Sequence, residues 1–155
     1  MDLTINGPGA RALAVNGNDE TRAFGIAAGA NAAIKSLAIK NGRATGIGGG
    51  IYNDAGTLAL SRSTVSTNTA GTHPDASRAF SGQGYNLIGK TSGSAGWGSS
   101  NLLNSNPLLG PLQNNGGPTN THALRTGSPA INTIPRSNNG CGTYITTDQR
   151  ALKRT

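Results

Sequence analysis

The sequence predicts an all-β fold, a short right-handed parallel β-helix of about three coils with an irregular C-terminal segment packed on it. The segment AIKSLAIKNG aligns with ALSRSTVSTN at a constant offset of 26 positions. That offset pairs Ile34 with Leu60, Ala38 with Thr64, and Ile39 with Val65. It is about the length of one β-solenoid coil, so these residues should stack in neighbouring parallel strands.

Composition supports the same fold. The 155 residues suit one domain, and 34% of them are hydrophobic, 4% are aromatic and 24 residues are glycine. This is too lean for a thick two-layer core. A β-helix tolerates it because its core is a thin column of small and β-branched side chains, with glycine and asparagine at the corners.

Turn signals divide the first 70 residues into short strands. The turns are NGPG, NGND, AAGAN, KNG and NDAG. The candidate strands are Leu3 to Asn6, Leu13 to Val15, Ala23 to Ile26, Ile34 to Lys40, Gly50 to Asn53, Thr57 to Leu60 and Thr64 to Thr67. Alternation within them directs six side chains inward: Ile34, Ile39, Ile51, Leu58, Leu60 and Val65. The cluster GIGGG should form a corner of the solenoid.

The rest of the single domain is predicted to be less regular. Residues 71–100 read as a long loop, and residues 101–155 as a turn-rich tail that contains most of the prolines. Proline lacks a backbone donor, so residues 106–131 should have little regular secondary structure. Their apolar side chains should pack on the flank of the solenoid: Leu108, Leu109, Leu112, Leu124 and Ile131.

The chain is basic, with 13 Lys and Arg against six Asp and Glu. Apart from the cluster of Arg150, Lys153 and Arg154, the cations are spread singly, and no aromatic residues interleave with them. We therefore expect a solvated basic surface and no specific nucleic acid partner. No apolar run is long enough for a membrane span. The N-terminus MDLTINGPG lacks the charged and apolar regions of a signal peptide.

Six residues are candidates for ligand binding: Lys35, Lys40, Arg43, Arg62, Tyr85 and Trp97. The pairs Lys35 with Arg62, or Lys40 with Arg43, could line one face of the solenoid and bind a polyuronate. The two aromatic residues are available to stack on sugar rings.

Catalytic and metal-binding motifs are sparse, so no catalytic residue is assigned. Asp54 lies in the NDAG turn, where a short acidic side chain commonly bonds the backbone. His73 stands near Asp75, which could orient a base, and His122 is expected to bond the backbone. The lone Cys141 and the absence of zinc-ligand spacing predict no metal and no cofactor.

Four segments carry a family resemblance, in this order: GGGIYNDAGTLALSRSTVSTNTA, GYNLIG, NPLLGPLQNNGGPTNTHALRTGSPAIN and CGTYITTDQRA. They resemble exported bacterial and archaeal right-handed parallel β-helix repeat proteins of the polymorphic outer-membrane-protein-like and choice-of-anchor type. The resemblance implies a secreted or cell-surface protein. This sequence differs from the family pattern at Asn106 and Asn132, where aspartate is usual, and at Ala151, where glycine is usual.

Three functions remain open at this stage. The first is a non-catalytic β-helix that binds polysaccharide or another cell-surface ligand, and the second is a small polysaccharide lyase or glycoside hydrolase. The third is a structural spacer. An uncharged N-terminal strand, Leu3 to Asn6, also predicts a homo-oligomer, because an open strand edge pairs readily with another chain. The alternative is that residues 101–155 fold back and cap that edge.

Overall fold

The computed structural model of the protein describes residues 2–82, 84–117, 120–138, 142–144, 146–147 and 153. It is an all-β structure with essentially no helix, in which parallel sheets stack as a β-solenoid of about three turns. The described residues form sixteen strands in chain order: β1 (Asp2–Asn6), β2 (Ala14–Asn16), β3 (Phe24–Ile26), β4 (Asn31–Lys35), β5 (Ala38–Lys40), β6 (Arg43–Ile47), β7 (Ile51–Asn53), β8 (Thr57–Ser61), β9 (Thr64–Val65), β10 (Thr69–Thr72), β11 (Ala76–Gly82), β12 (Leu87–Ile88), β13 (Ser94–Trp97), β14 (Leu102–Leu103), β15 (Leu109–Gln113) and β16 (Thr121–Leu124).

The strands form four faces around the solenoid. Face A contains β1, β4, β8, the end of β11, and β13, whereas face B contains β2, β5, β9, β12 and β14. Face C contains β3, β7 and the start of β11, and face D, within the described part of the chain, contains β6 and β10. In a coil that has a strand on every face, the chain therefore runs through faces A, B, D and C in that order.

The register confirms the predicted offset. Ile34 pairs with Leu60 between β4 and β8. Ala38 pairs with Thr64, and Ile39 with Val65, between β5 and β9. All strand pairs within the first 70 residues are parallel, as the sequence predicted. The right-handed sense of the coil stays a prediction, based on the general preference of parallel connections.

The core is a set of stacked columns. On face B one column runs from Val15 through Ile39, Val65 and Ile88 to Leu103. Its three central members are fully buried. All six side chains predicted to point inward are at most 1% exposed, which confirms that prediction. Burial of each such side chain stabilises the fold by about 1.5–3 kcal/mol.

The corners use the left-handed backbone conformation repeatedly. Ser36, Arg62 and Tyr85 have φ of 57°, 51° and 56° and occupy one corner on successive coils. Asn41 and Thr67, at 49° and 59°, occupy the next. Each such residue costs roughly 1–2 kcal/mol, which the pairing between coils offsets. The GIGGG cluster forms a corner as predicted, because Gly48 has φ of 66° and residues 48–50 are buried.

Three sequence-based boundaries are wrong. The predicted strand from Ile34 to Lys40 is two strands, β4 and β5, because Ser36 adopts positive φ and turns the chain between faces A and B. Residues 43–47, which alternate too weakly to predict a strand, form β6. Residues 71–100 are not a long loop, because β11, β12 and β13 continue faces A and B there.

The tail also contains more structure than predicted. Residues 106–131 include an antiparallel hairpin of β15 and β16. Pro111 lies inside β15, which is tolerated because a two-stranded sheet leaves every other backbone donor unpaired. Leu108, Leu109 and Leu124 are half-buried, but Leu112 and Ile131 are 58% and 43% exposed. The predicted packing of those last two residues is therefore wrong.

Candidate ligand-binding site

Three of the six candidate residues lie at one corner. Lys35 ends β4, and Arg62 and Tyr85 occupy the turn between faces A and B on the next two coils. We call these three residues the basic corner. Neighbouring strands are about 4.8 Å apart. Arg62 and Tyr85 occupy equivalent corner positions on successive coils, whereas Lys35 lies on the preceding coil one position before the equivalent residue, Ser36, and pairs with Ser61. All three are half-buried.

Backbone and side-chain hydrogen bonds fix the basic corner. The amides of Ser36, Arg62 and Tyr85 donate to carbonyls on the following coil, those of Ser61, Gly84 and Ser100, over 3.0–3.2 Å. Inside the turn, Asn86 is 1% exposed and its Nδ2 donates to Leu60 O at 2.8 Å.

On the outside, Asn138 Nδ2 donates to the Tyr85 hydroxyl at 2.8 Å. This contact joins the tail to the corner across 53 positions. This hydrogen bond restricts the orientation of the Tyr85 side chain.

Lys40 lies elsewhere, on the outer side of face B. Its Nζ is 2.6 Å from His122 Nε2, and His122 Nδ1 is 2.8 Å from Gly110 O. Because a carbonyl accepts, Nδ1 carries the proton and donates to Gly110, and Nε2 accepts from the Lys40 ammonium. Burial lowers the pKa of Lys40. The expected backbone bond of His122 is present, and Lys40 serves as the contact for the hairpin.

Arg43 lies at the start of β6 on face D and is exposed. It is therefore separated from Lys40 by the turn between faces B and D. At the opposite end of β6, Arg22 donates through Nε to Gly48 O at 2.8 Å and through Nη2 to Ile47 O at 2.9 Å. The Arg22 guanidinium also lies 4.9 Å from the Tyr52 ring centre, and that of Arg78 lies 5.5 Å from it.

Trp97 packs at the end of the core. Its ring stacks on Phe80 with centroids 4.8 Å apart and an interplanar angle of 19°. Trp97 Nε1 donates to Ser94 Oγ at 3.0 Å. One face of the indole is thus occupied by Phe80, and the structure does not bring Trp97 to the basic corner.

The titratable residues considered for catalysis are dispersed. Asp75 is only 2% exposed, and its Oδ1 accepts from Asn68 N at 3.1 Å and Asn68 Nδ2 at 2.8 Å. Burial raises the pKa of Asp75, although these bonds and Lys90 oppose the rise. Among the described residues, no hydrogen bond links Asp75 to His73. Asp148 and Cys141 lie outside the described residues.

The NDAG turn differs from expectation in detail. Asn53, and not Asp54, bonds the backbone of the turn, with its Oδ1 accepting from Gly56 N at 3.0 Å. Asp54 instead accepts from the Tyr52 hydroxyl at 2.8 Å. Asn53 is the stronger turn residue because its amide both donates and accepts.

Sequence reasoning missed several surface residues that the structure places near candidate cations. Arg22, Tyr52 and Arg78 form a cluster on faces C and D, and Asn138 holds Tyr85. The 26-position offset between Arg22 and the carbonyl of Gly48 was a usable signal. No local pattern links Asn138 to Tyr85.

In the part of the chain that the structure describes, no three His, Cys, Asp or Glu side chains are grouped so that they could hold a metal ion. None of the described residues lies in a helix with the length and hydropathy required to cross a membrane.

The fold and the basic corner thus define a short β-solenoid with cations on successive coils. Comparisons of the chain with protein-family models, with curated proteins and with solved structures give no match.

Proposed function

We propose that this protein is a non-catalytic β-helix module that binds acidic polysaccharide through the basic corner. The observation that carries the proposal is the placement of Lys35, Arg62 and Tyr85 at one corner on successive coils. A polysaccharide is also a linear repeat. A chain laid along the solenoid axis would therefore meet a new side chain at each coil.

The chemistry of the corner suits an acidic sugar. Lysine and arginine attract carboxylate or sulfate groups, and the tyrosine ring offers an apolar surface for a sugar ring. The net charge of +7 favours encounter with polyanions in general. Because Asn138 already orients Tyr85, little side-chain entropy would be lost on binding.

The family resemblance extends the proposal to location and assembly. The four sequence segments support an exported or cell-surface protein of the polymorphic outer-membrane-protein-like and choice-of-anchor type. Self-association through the exposed edge of β1 is part of the same proposal. Fractionation of cells that produce the protein tests its location, and recovery in the cytoplasm alone would contradict export.

The binding test compares acidic and neutral polymers. Polygalacturonate and alginate should bind in affinity electrophoresis, whereas neutral xylan and cellulose should bind at least tenfold more weakly. The variant Lys35→Gln should weaken polygalacturonate binding severalfold, and Lys35→Gln with Arg62→Gln about tenfold, equivalent to about 1.4 kcal/mol. Arg125→Gln removes an exposed charge in the tail and is the matched control.

Two results would overturn the proposal. Equal binding by the double variant, with an unchanged melting temperature, would remove the basic corner as the site. Release of reducing ends from any of these polymers would favour the alternative function, a small polysaccharide lyase or glycoside hydrolase. A glycan array run in parallel identifies binding to ligands outside these polymers.

A further inference from the structure

Face D has a gap in the first coil. The chain passes from β2 to β3 through residues 17–23 with no strand between them, although the second coil inserts β6 at this point. Among the described residues, one side of β6 therefore has no strand partner. The gap leaves a groove of about 360 Å³ lined by residues 20–22 and 43–46, which we call the D groove.

The backbone edge beside the groove is largely satisfied already. Arg22 donates to the carbonyls of Ile47 and Gly48, so its side chain replaces the missing strand at that end of β6. At the other end, Arg43 N donates to Thr21 O at 2.8 Å. An extended peptide that adds as a strand needs free backbone groups in a row. These bonds therefore disfavour a peptide ligand.

The groove instead offers side chains. Arg43, Glu20, Thr21 and Thr45 are exposed along its lining. The Arg22 guanidinium is fixed by two carbonyls and by the Tyr52 ring, so a second positive charge stands at the opposite end of β6 from Arg43. The cation of Arg43 suits a planar carboxylate. The carboxylate of Glu20 and the threonine hydroxyls suit the hydroxyl groups of a sugar.

Charge and size narrow the ligand further. Two arginines and one glutamate leave a single net positive charge in the lining. This balance favours a singly charged carboxylate over a doubly charged phosphate. A volume of about 360 Å³ lies at the lower end of small-ligand pockets, roughly 300–1,000 Å³.

We infer that the D groove binds one carboxylate-bearing sugar unit, with Arg43 paired to the carboxylate and Glu20 accepting from ring hydroxyls. Faces A and B meet at the basic corner, and face D is reached only after face B, so this is a second site. The inference rests on the proposed function for its ligand class, since it names the acidic sugar that a second contact would take.

The test uses short ligands that fit the groove. Digalacturonic acid, its methyl ester and neutral galactobiose are titrated into the 155-residue protein while amide resonances are followed by NMR. Digalacturonic acid should shift the amides of Thr21, Arg43 and Thr45. The ester and the neutral disaccharide should bind at least tenfold more weakly, and sulfate at matched ionic strength should not reproduce the shifts.

Variants assign the contacts. Arg43→Gln should weaken digalacturonic acid binding about tenfold, and Glu20→Gln severalfold, with Arg125→Gln as the control that retains binding. An unchanged affinity in Arg43→Gln, or equal binding of the methyl ester, would overturn the inference. Spectra that keep the wild-type pattern outside the groove show that the variants are folded.

The outcome separates this inference from the proposed function. If polygalacturonate binds through Lys35 and Arg62 but the disaccharide leaves residues 20–22 and 43–46 unshifted, only the D groove is wrong. If the disaccharide binds in the D groove but polygalacturonate does not bind at the basic corner, only the proposal for the basic corner is wrong. If no acidic sugar binds, both are wrong.

Discussion

At the residue scale, Asp75 is the clearest departure from ordinary surface chemistry. Its carboxyl group is buried, and Asn68 donates to it through both its backbone and its side chain. The left-handed corner at His73, with φ of 52°, precedes it and turns the chain inward. A histidine and aspartate two positions apart thus point to different environments, which is why the sequence could suggest a pair that the structure does not form.

Asp75 should make stability depend on pH. Because burial raises its pKa above the ordinary 3.8, the folded state holds a proton that the unfolded chain releases. The stability that the protonated Asp75 contributes is fully present below pH 3.8, the pKa in the unfolded chain. It is lost as pH rises through the higher pKa of the folded state. Each unit of elevation corresponds to about 1.4 kcal/mol. In the Asp75→Asn variant, this decrease in stability with rising pH should therefore be absent.

The measurement is the free energy of unfolding in urea from pH 3.5 to 7. The readout is the slope of the unfolding free energy against pH, not its absolute value. The absolute value also changes, because the new amide places a donor where an oxygen accepted from Asn68 or Lys90. Asp19→Asn removes the same charge from an exposed turn and controls for net charge. A slope in Asp75→Asn identical to that of the wild type would contradict the prediction.

At the element scale, the hairpin of β15 and β16 depends on one long-range contact. Lys40 and His122 are 82 positions apart, and their hydrogen bond joins the hairpin to face B. By alternation with the inward column on face B, Ala38, Ser66 and Leu87 point outward from the solenoid, yet they are at most 4% exposed. The outer side of face B, on which Lys40 lies, is therefore shielded from solvent at these residues.

Loss of this contact should loosen the hairpin. His122→Ala leaves the half-buried Lys40 ammonium without its acceptor, and we expect a loss of about 1–3 kcal/mol. Lys40→Met keeps the apolar part of the side chain and removes the charge, so it should lower the stability less than His122→Ala does. Thermal unfolding with limited proteolysis of residues 109–124 measures both effects. Fully additive losses in the double variant would show that the two side chains are not coupled.

At the scale of the whole molecule, β1 is an edge strand that favours self-association. Gly7 N donates to Lys35 O at 2.8 Å, so alternation directs the Thr4 amide away from β4. Leu3 and Leu13 are 55% and 49% exposed nearby. The edge carries no charge from Leu3 to Asn6 and has apolar side chains beside it, so we predict that it pairs with a second copy.

The 155-residue chain should therefore dimerise at micromolar concentration, as measured by light scattering. Thr4→Pro removes only the outward donor, and Thr4→Lys adds a charge at the edge, so both should give monomers. Thr57→Lys, an exposed position inside the same face, should remain dimeric. A strictly monomeric wild type would contradict this account.

The sequence by itself determined the repeating part of the fold. The 26-position offset and the alternation of apolar residues predicted the register of β4 with β8 and the six buried side chains. Both predictions succeed because stacking in a solenoid is periodic, so equivalent residues recur at a constant spacing in the sequence. The same pattern could not show that Ser36 is a corner, since serine does not signal positive φ.

Only the tertiary structure decided which surface residues meet. Lys35, Arg62 and Tyr85 come together because coil length brings them to one corner, while Lys40 contacts His122 and Trp97 stacks on Phe80. The gap in face D and the burial of Asp75 likewise follow from the lengths of separate turns. Such contacts join single residues at irregular separations, so no local period or composition records them.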